Sequence, residues 1–475
     1  MCIATGQVSQ AKNGQSLWAV CYNNSSKTKG VPKLATTKTI PTMHELPLIG
    51  SSFAFLRDIL GFRLRVAAER PGAAMYNVGP YKVVSFSSPE LVHEVLVDKA
   101  SQFERLNSFR WLTEPLLGNG ILTIDNAGHR PERRLVQPAF NHKRVGSYAD
   151  IMATIVEDRV VAWQPGSVID VRQEMLNLTM SIIGKVLFDL DLRAQVGGIS
   201  EAISIALTYA TNAMLLPIPL SVPTPGNRRV LRAIDQLNTT IASIIAERRA
   251  SGEDRGDILS MLLASRGEDG EQMTDRQLRD EVMTLFIAGH ETTASALAWS
   301  FYLLGQYPGY QARLQQEATS TLAGRTPTLA DLPALPFAQQ VFKETIRLYP
   351  PVHVLPRNAN TEVEVGGYYI PPGAIVVLDT YAMQRSASYF PQPLQFNPDR
   401  FSAENERTIP KGAYLPFGLG PRGCIGQQFA MLEAHMVLVA VSQRVELRLL
   451  PGQRVQPQAL LSLRPSRAIR MRVER

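Results

Sequence analysis

A chain of 475 residues, 45% hydrophobic and 19% charged, has the balance of an ordinary globular protein with one extensive core. Its formal net charge of +7 comes without any basic run interleaved with aromatics, which argues against nucleic acid as a partner. The three cysteines, Cys2, Cys21 and Cys424, are far apart and lack a CxxC spacing, so a disulfide framework and a structural zinc site are both disfavoured; a reducing, cytoplasmic setting is expected.

Residues 1–42 carry only lysines as charges, at Lys12, Lys27, Lys29, Lys33 and Lys38, among Ser, Thr, Asn and Gln. They read as a disordered basic extension, with an alternative start near Met43, ahead of a single domain over 43–475. No apolar run in them could span a membrane. Tyr76–Val78 and Lys82–Phe86 read as short strands, followed by a helix from Pro89. Helical periodicity then dominates to about residue 350. The uncharged segment Ala202–Asn227 is broken by Pro217, Pro219, Pro223 and Pro225. It is expected to be a core helix running into an apolar loop that could touch a bilayer without crossing it.

Thr274-Asp275-Arg276-Gln277 is a capping-box start, and the apolar pattern that follows runs to Pro308-Gly309. This predicts a helix of roughly 30 residues, about 45 Å long, which crosses a whole domain. A second helix is bounded by Pro336 and Pro350. Beyond it, Val363–Val365, Tyr368–Ile370 and Ile375–Leu378 are strand-like, punctuated by Gly366-Gly367 and Pro371-Pro372-Gly373.

The segment Phe417-Gly-Leu-Gly-Pro-Arg-Gly-Cys424-Ile-Gly426 packs four glycines around one cysteine, and a helix from about Gln427 to Val441 follows. Such a loop lets backbone approach a flat ligand closely and turns amides toward the sulfur. Amides at a helix start favour the thiolate, the form that binds metal.

On these residues the sequence resembles the cytochrome P450 family. Further motifs match in the expected order: Glu344-Thr-Ile-Arg347, then Asn397-Pro-Asp-Arg400-Phe, with Asp399 where glutamate is commoner. Ala288-Gly-His-Glu291-Thr292-Thr lies midway along the long helix, where Gly289 is expected to loosen the helix and leave room for a small ligand. The resemblance implies a mainly α fold with small β-sheets and a long central helix over the haem. It makes Cys424 the axial ligand of the iron of haem b, with O2 as co-substrate. It assigns Thr292 to holding dioxygen and its waters, and Glu291 to relaying protons. Glu344, Arg347 and Arg400 would form a buried network bracing the cysteine loop. His129, Arg133, Arg357 and Arg422 would contact the haem propionates, and Phe417 would lie against the cofactor. Phe109, Leu285, Ala288, Val352, Val354 and Leu460 would line the substrate pocket.

These implications describe a monooxygenase that hydroxylates or epoxidises a lipophilic substrate such as a fatty acid, terpenoid, steroid or polyketide. No part of the chain remains for a reductase, so electrons would come from a separate ferredoxin or flavodoxin and its reductase. Arg134, Lys143, Arg144 and Lys411 would offer it a basic face. The protein is expected to be monomeric. Peroxide-driven hydroxylation, a rearranging haem enzyme, and a haem sensor without turnover are the alternatives; the Glu291-Thr292 pair argues against the last two.

Overall fold

The computed structural model describes residues 38–44, 50–191, 196–215, 218–268 and 270–474. The expected extension up to residue 37, with Cys2 and Cys21, lies outside them. Residues 38–42 were expected to belong to that extension, yet they pair with two strands, Tyr368–Ile370 and Ala73–Val78. Lys38 bridges to Tyr368 and Thr42 to Met75, and Ile40 is buried. An apolar side chain that finds a hydrophobic cluster is held whatever the polarity of its neighbours.

The fold is built on the helix Asp275–Gln306, 32 residues long. It starts as its sequence dictates: the Thr274 hydroxyl accepts from the Gln277 amide at 3.2 Å, and the Gln277 side chain accepts from the Thr274 amide at 3.0 Å. Pro308 begins the next helix, Pro308–Leu322. From Leu278 to Leu304 most of the central helix is buried, because helices Val171–Phe188, Pro336–Leu348 and Gln427–Arg444 pack around it. Beyond helix Val196–Leu215, the side chains of Ile218 and Val222 are exposed. Among the described residues no helix is long and apolar enough to cross a membrane.

A five-stranded sheet stands beside this helical body, in the order Ala73–Val78, Tyr81–Phe86, Ile375–Leu378, Leu355–Ala359, Phe103–Arg105. All its pairings are antiparallel except that of Tyr81–Phe86 with Ile375–Leu378. The register of the last pair sets Arg105 opposite Arg357. Near the C-terminus, Pro457–Ala459 and Leu463–Pro465 form a hairpin whose tip is Leu460–Ser462.

Candidate active site

The cysteine loop is held by backbone geometry. Cys424 N donates to the Phe417 carbonyl at 2.9 Å, and Gly423 N to Gly420 at 3.0 Å. Gly418 and Gly420 have φ of +69° and +71°, conformations that favour glycine. A Cβ on Gly420 would also collide with the Leu96 carbonyl, so this glycine serves close packing as well as the turn. Cys424 is exposed, yet its thiol lies deep within the molecule, where burial pushes its pKa up. The Gly426 amide and Arg133 oppose that rise. An exposed residue at such depth borders internal space.

The central helix shows the same feature. Ala288 is exposed, although Leu285, Phe286, Ile287 and His290 around it are buried. The Thr292 hydroxyl donates back to the Ala288 carbonyl at 2.8 Å, the usual bond of a threonine in a helix. Glu291 accepts from the Ser462 hydroxyl at 2.8 Å. Burial raises its pKa, opposed by Ser462, Arg464 and Arg172. On the side where a Cβ would stand, Gly289 faces its neighbouring helix. A Cβ there would meet Ile183 at 3.1 Å, so this glycine lets helix Val171–Phe188 come close.

Around the edge of the cysteine loop, cations outnumber anions. Arg105, Arg357 and Arg422 line one pocket with Phe103 and Asn126. Burial and then Arg422 lower the pKa of Arg357 to about 10, with Glu104 opposing; burial lowers Arg422 to about 10, opposed by Glu104 and Asp125. Arg105 is lowered by burial, then by Arg357 and Arg422. His129 falls to about 3 through burial, Arg422, Arg133 and Arg105 in that order, so its ring is neutral. Guanidiniums pressed together in this way, Arg357 buried and Arg105 and Arg422 half-buried, form a site for anionic groups. Arg105 was not among the sequence-derived candidates; a lone arginine in a short strand gives no signal until the sheet sets it against Arg357. Arg133, expected on a propionate, donates to the carbonyls of Pro421 at 3.2 Å and Gly423 at 2.8 Å, bracing the cysteine loop, as Arg422 donates to the carbonyls of Ile121 at 3.4 Å and Ile124 at 2.7 Å.

Glu344 and Arg347 are fully buried and doubly bonded, at 2.6 and 2.8 Å. Arg347 also donates to the carbonyls of Gln384, Pro393 and Gln395 at 2.7, 2.8 and 3.3 Å. Arg400 joins through Glu344 at 3.3 Å. The link from this network to the cysteine loop is Gln384, which sequence reasoning missed. Its side chain donates to the carbonyls of Ile346 and Arg347 and accepts from the Leu415 amide at 3.0 Å.

The expected pocket residues differ in exposure and packing. Ala288 and Val352 are exposed and Leu460 is half-buried, whereas Leu285 is buried in the main core. Val354 packs toward the sheet, on the cluster of Met43, Phe62 and Tyr76. Phe417 packs on the main core, and the Phe109 side chain lies outside the described residues. Of the expected basic face, Lys143 and Lys411 are exposed; Arg134 pairs with Glu268, and Arg144 donates to the Gly256 carbonyl at 2.6 Å.

A family profile described as "Cytochrome P450" matches residues 40–471. Cyclooctatin synthase of Streptomyces melanosporofaciens is 38% identical over 88% of this chain and 92% of its own. Cyclooctat-9-en-7-ol 5-monooxygenase of the same organism is 33% identical over 88% and 91%. The crystal structure of the cytochrome P450DA heme domain superposes with a TM-score of 0.84 at 26% identity, covering 93% of this chain and 98% of that one.

Proposed function

Because the chain belongs to the cytochrome P450 family, and so is a haem-thiolate monooxygenase, we propose that Cys424 is its axial ligand and that its substrate is a cyclic terpenoid. The family uses haem and O2, takes lipophilic substrates and draws electrons from redox partners. The observation that carries the assignment of Cys424 is its position: a deep sulfur that borders internal space, on a loop fixed at both ends. The residues fit haem b, whose flat ring needs such a space and whose two propionates need buried cations. Arg105, Arg357 and Arg422 would hold the propionates, with neutral His129 as a hydrogen-bonding neighbour, while Arg133 fixes the loop. When bound, haem iron with a thiolate ligand supplies O–O bond cleavage and oxygen insertion.

The residues of the chain supply protons and orientation. The Gly426 amide and Arg133 stabilise negative charge on sulfur. Glu291, held on Ser462, is the proton store beside Thr292, and burial raises its pKa above that of a free carboxyl. The Thr292 hydroxyl, bonded to Ala288, is positioned to pass a hydrogen bond into the space that Ala288 borders. An acidic ferredoxin or flavodoxin would dock near exposed Lys143 and Lys411. Among the lipophilic classes expected, the names of the two relatives, which denote an olefinic alcohol and the product cyclooctatin, support a cyclic terpenoid.

The test has two stages. The ferrous carbonyl spectrum of the haem-loaded protein should show the red-shifted thiolate band, and Cys424→His should lose it. NADPH-linked oxidation of cyclooctat-9-en-7-ol and of cyclic terpene hydrocarbons, with a ferredoxin and its reductase, should give oxygenated products. A wild-type spectrum without the thiolate band would overturn the ligand assignment. Oxidation of fatty acids or steroids alone would overturn the substrate class.

A further inference from the structure

The hairpin tip Leu460–Ser462 touches three separate parts of the fold with three successive residues. The Leu460 carbonyl accepts from His353 Nε2 at 3.1 Å. Leu461 packs on the cluster of Leu112 and Ala210, which joins helices Asn107–Leu117 and Val196–Leu215. Ser462 holds Glu291 on the central helix, one residue from Thr292. The tip therefore stands at the rim of the space that Ala288 borders, and whatever sets its position sets one wall of that space.

His353 sets it on the side opposite the central helix. Its ring is buried, and Nδ1 lies 2.6 Å from Arg63 Nη1. Arginine can only donate, so Nδ1 accepts; the ring proton must then sit on Nε2 and point at the Leu460 carbonyl. Burial and the Arg63 charge lower the His353 pKa to about 3, so the imidazole stays neutral and keeps these two roles. Arg63 is itself fixed, buried on helix Ile59–Glu69 with Asp379 4.0 Å from Nε. The backbone of the His353 segment is tied down as well. The His353 carbonyl accepts from Tyr381 N at 3.1 Å, and the Pro351 carbonyl accepts from Leu463 N at 2.8 Å. The imidazole is thus a spacer between a rigid base, Arg63, and a tip that is also held by the Ser462 hydroxyl, by Leu461 packing and, one residue on, by the Leu463 amide. The exposed Val352 beside it belongs to the same segment.

We propose that His353 is a specificity-determining positioning residue: it fixes the separation of the Val352–Leu355 segment from the Leu460–Ser462 tip, and so the shape of the space in which bulky ligands lie. This rests on the reading of that space as the substrate pocket. Loss of the spacer would leave the Cys424 loop untouched and change what fits in that space.

The test uses the holoenzyme and two nitrogen ligands, imidazole and clotrimazole, the latter an imidazole with a bulky triaryl group. Each is titrated by the shift of the haem absorption it causes. Imidazole is small enough to be indifferent to the wall, whereas clotrimazole is not. His353→Leu, which loses both bonds, should change the ratio of the two dissociation constants by about tenfold or more. His353→Gln should keep the ratio within twofold, since its amide oxygen can accept from Arg63 and its NH2 can donate to Leu460. The ferrous carbonyl band should be unchanged in both. A wild-type ratio in His353→Leu overturns the proposal. If that variant gives no holoprotein, His353→Asn, too short to bridge, decides in the same way. A wild-type enzyme without the thiolate band would instead refute the haem reading, and the two failures are told apart by that spectrum.

Discussion

Arg347→Lys keeps the charge and removes the geometry. In the fully buried pair with Glu344, the guanidinium fills both carboxylate oxygens and three carbonyls, those of Gln384, Pro393 and Gln395. A lysine ammonium is a point donor on a flexible stem and can satisfy one Glu344 oxygen and at most one nearby carbonyl. Three of the five acceptors, one Glu344 oxygen and two carbonyls, then lose their charged donor, the Gln395 contact at 3.3 Å being the weakest of the five. An unsatisfied buried acceptor costs roughly 1–3 kcal/mol, and a half-broken buried ion pair about 3–5 kcal/mol in all. The expected loss is therefore about 3–4 kcal/mol, a large share of a total that is commonly ~5–15 kcal/mol. Since the Gln384 carbonyl is one of the acceptors and the Gln384 side chain holds Leu415, the cysteine loop should loosen with it. Urea unfolding of wild type and variant, followed by far-ultraviolet circular dichroism and by the ferrous carbonyl thiolate band, measures both effects. A loss below about 1 kcal/mol with the band intact would refute the reasoning that places this network under the loop.

Arg105→Leu should release haem to an apoprotein acceptor at least ~10-fold faster, since losing a charged hydrogen bond costs about 1.5–3 kcal/mol; an unchanged rate would remove Arg105 from the propionate site. Ser462→Ala takes away a hydrogen bond that lowers the pKa of Glu291, so the limb of the pH–rate profile governed by that acid should move to higher pH. A profile that stays in place would show that Glu291 is not the titrating group. Glu281 is fully buried beside Glu132, and burial followed by that neighbour pushes its pKa up to about 9. A folded-state pKa above the unfolded value means that the unfolded chain releases the proton first, so this group lowers stability progressively as pH rises from about 4.5 to about 9. Glu281→Gln should accordingly melt about 2 °C or more above wild type at pH 8, with the advantage gone near pH 4; a pH-independent difference would contradict the raised pKa.

Local signals are written in consecutive residues, and these the sequence alone determined. The capping box at Thr274–Gln277, the stop at Pro308, the Pro336–Leu348 helix and the strand runs from Val363 to Leu378 each depend on neighbours within one or two turns. The cysteine loop was legible for the same reason, because its glycines, arginine and cysteine fall within ten positions. Tertiary structure alone decided which distant groups meet. Arg105 gains its meaning from a sheet register with Arg357, Gln384 from three hydrogen bonds between the Glu344 network and the loop, and His353 from a hairpin tip more than a hundred positions later. The same holds for Gly289 and Val354, which packing sets against Ile183 and against the cluster of Met43, Phe62 and Tyr76. The pattern of polar and apolar residues states that a side chain will be buried, but its partner is chosen by close packing of elements far apart in the chain, which no local pattern encodes.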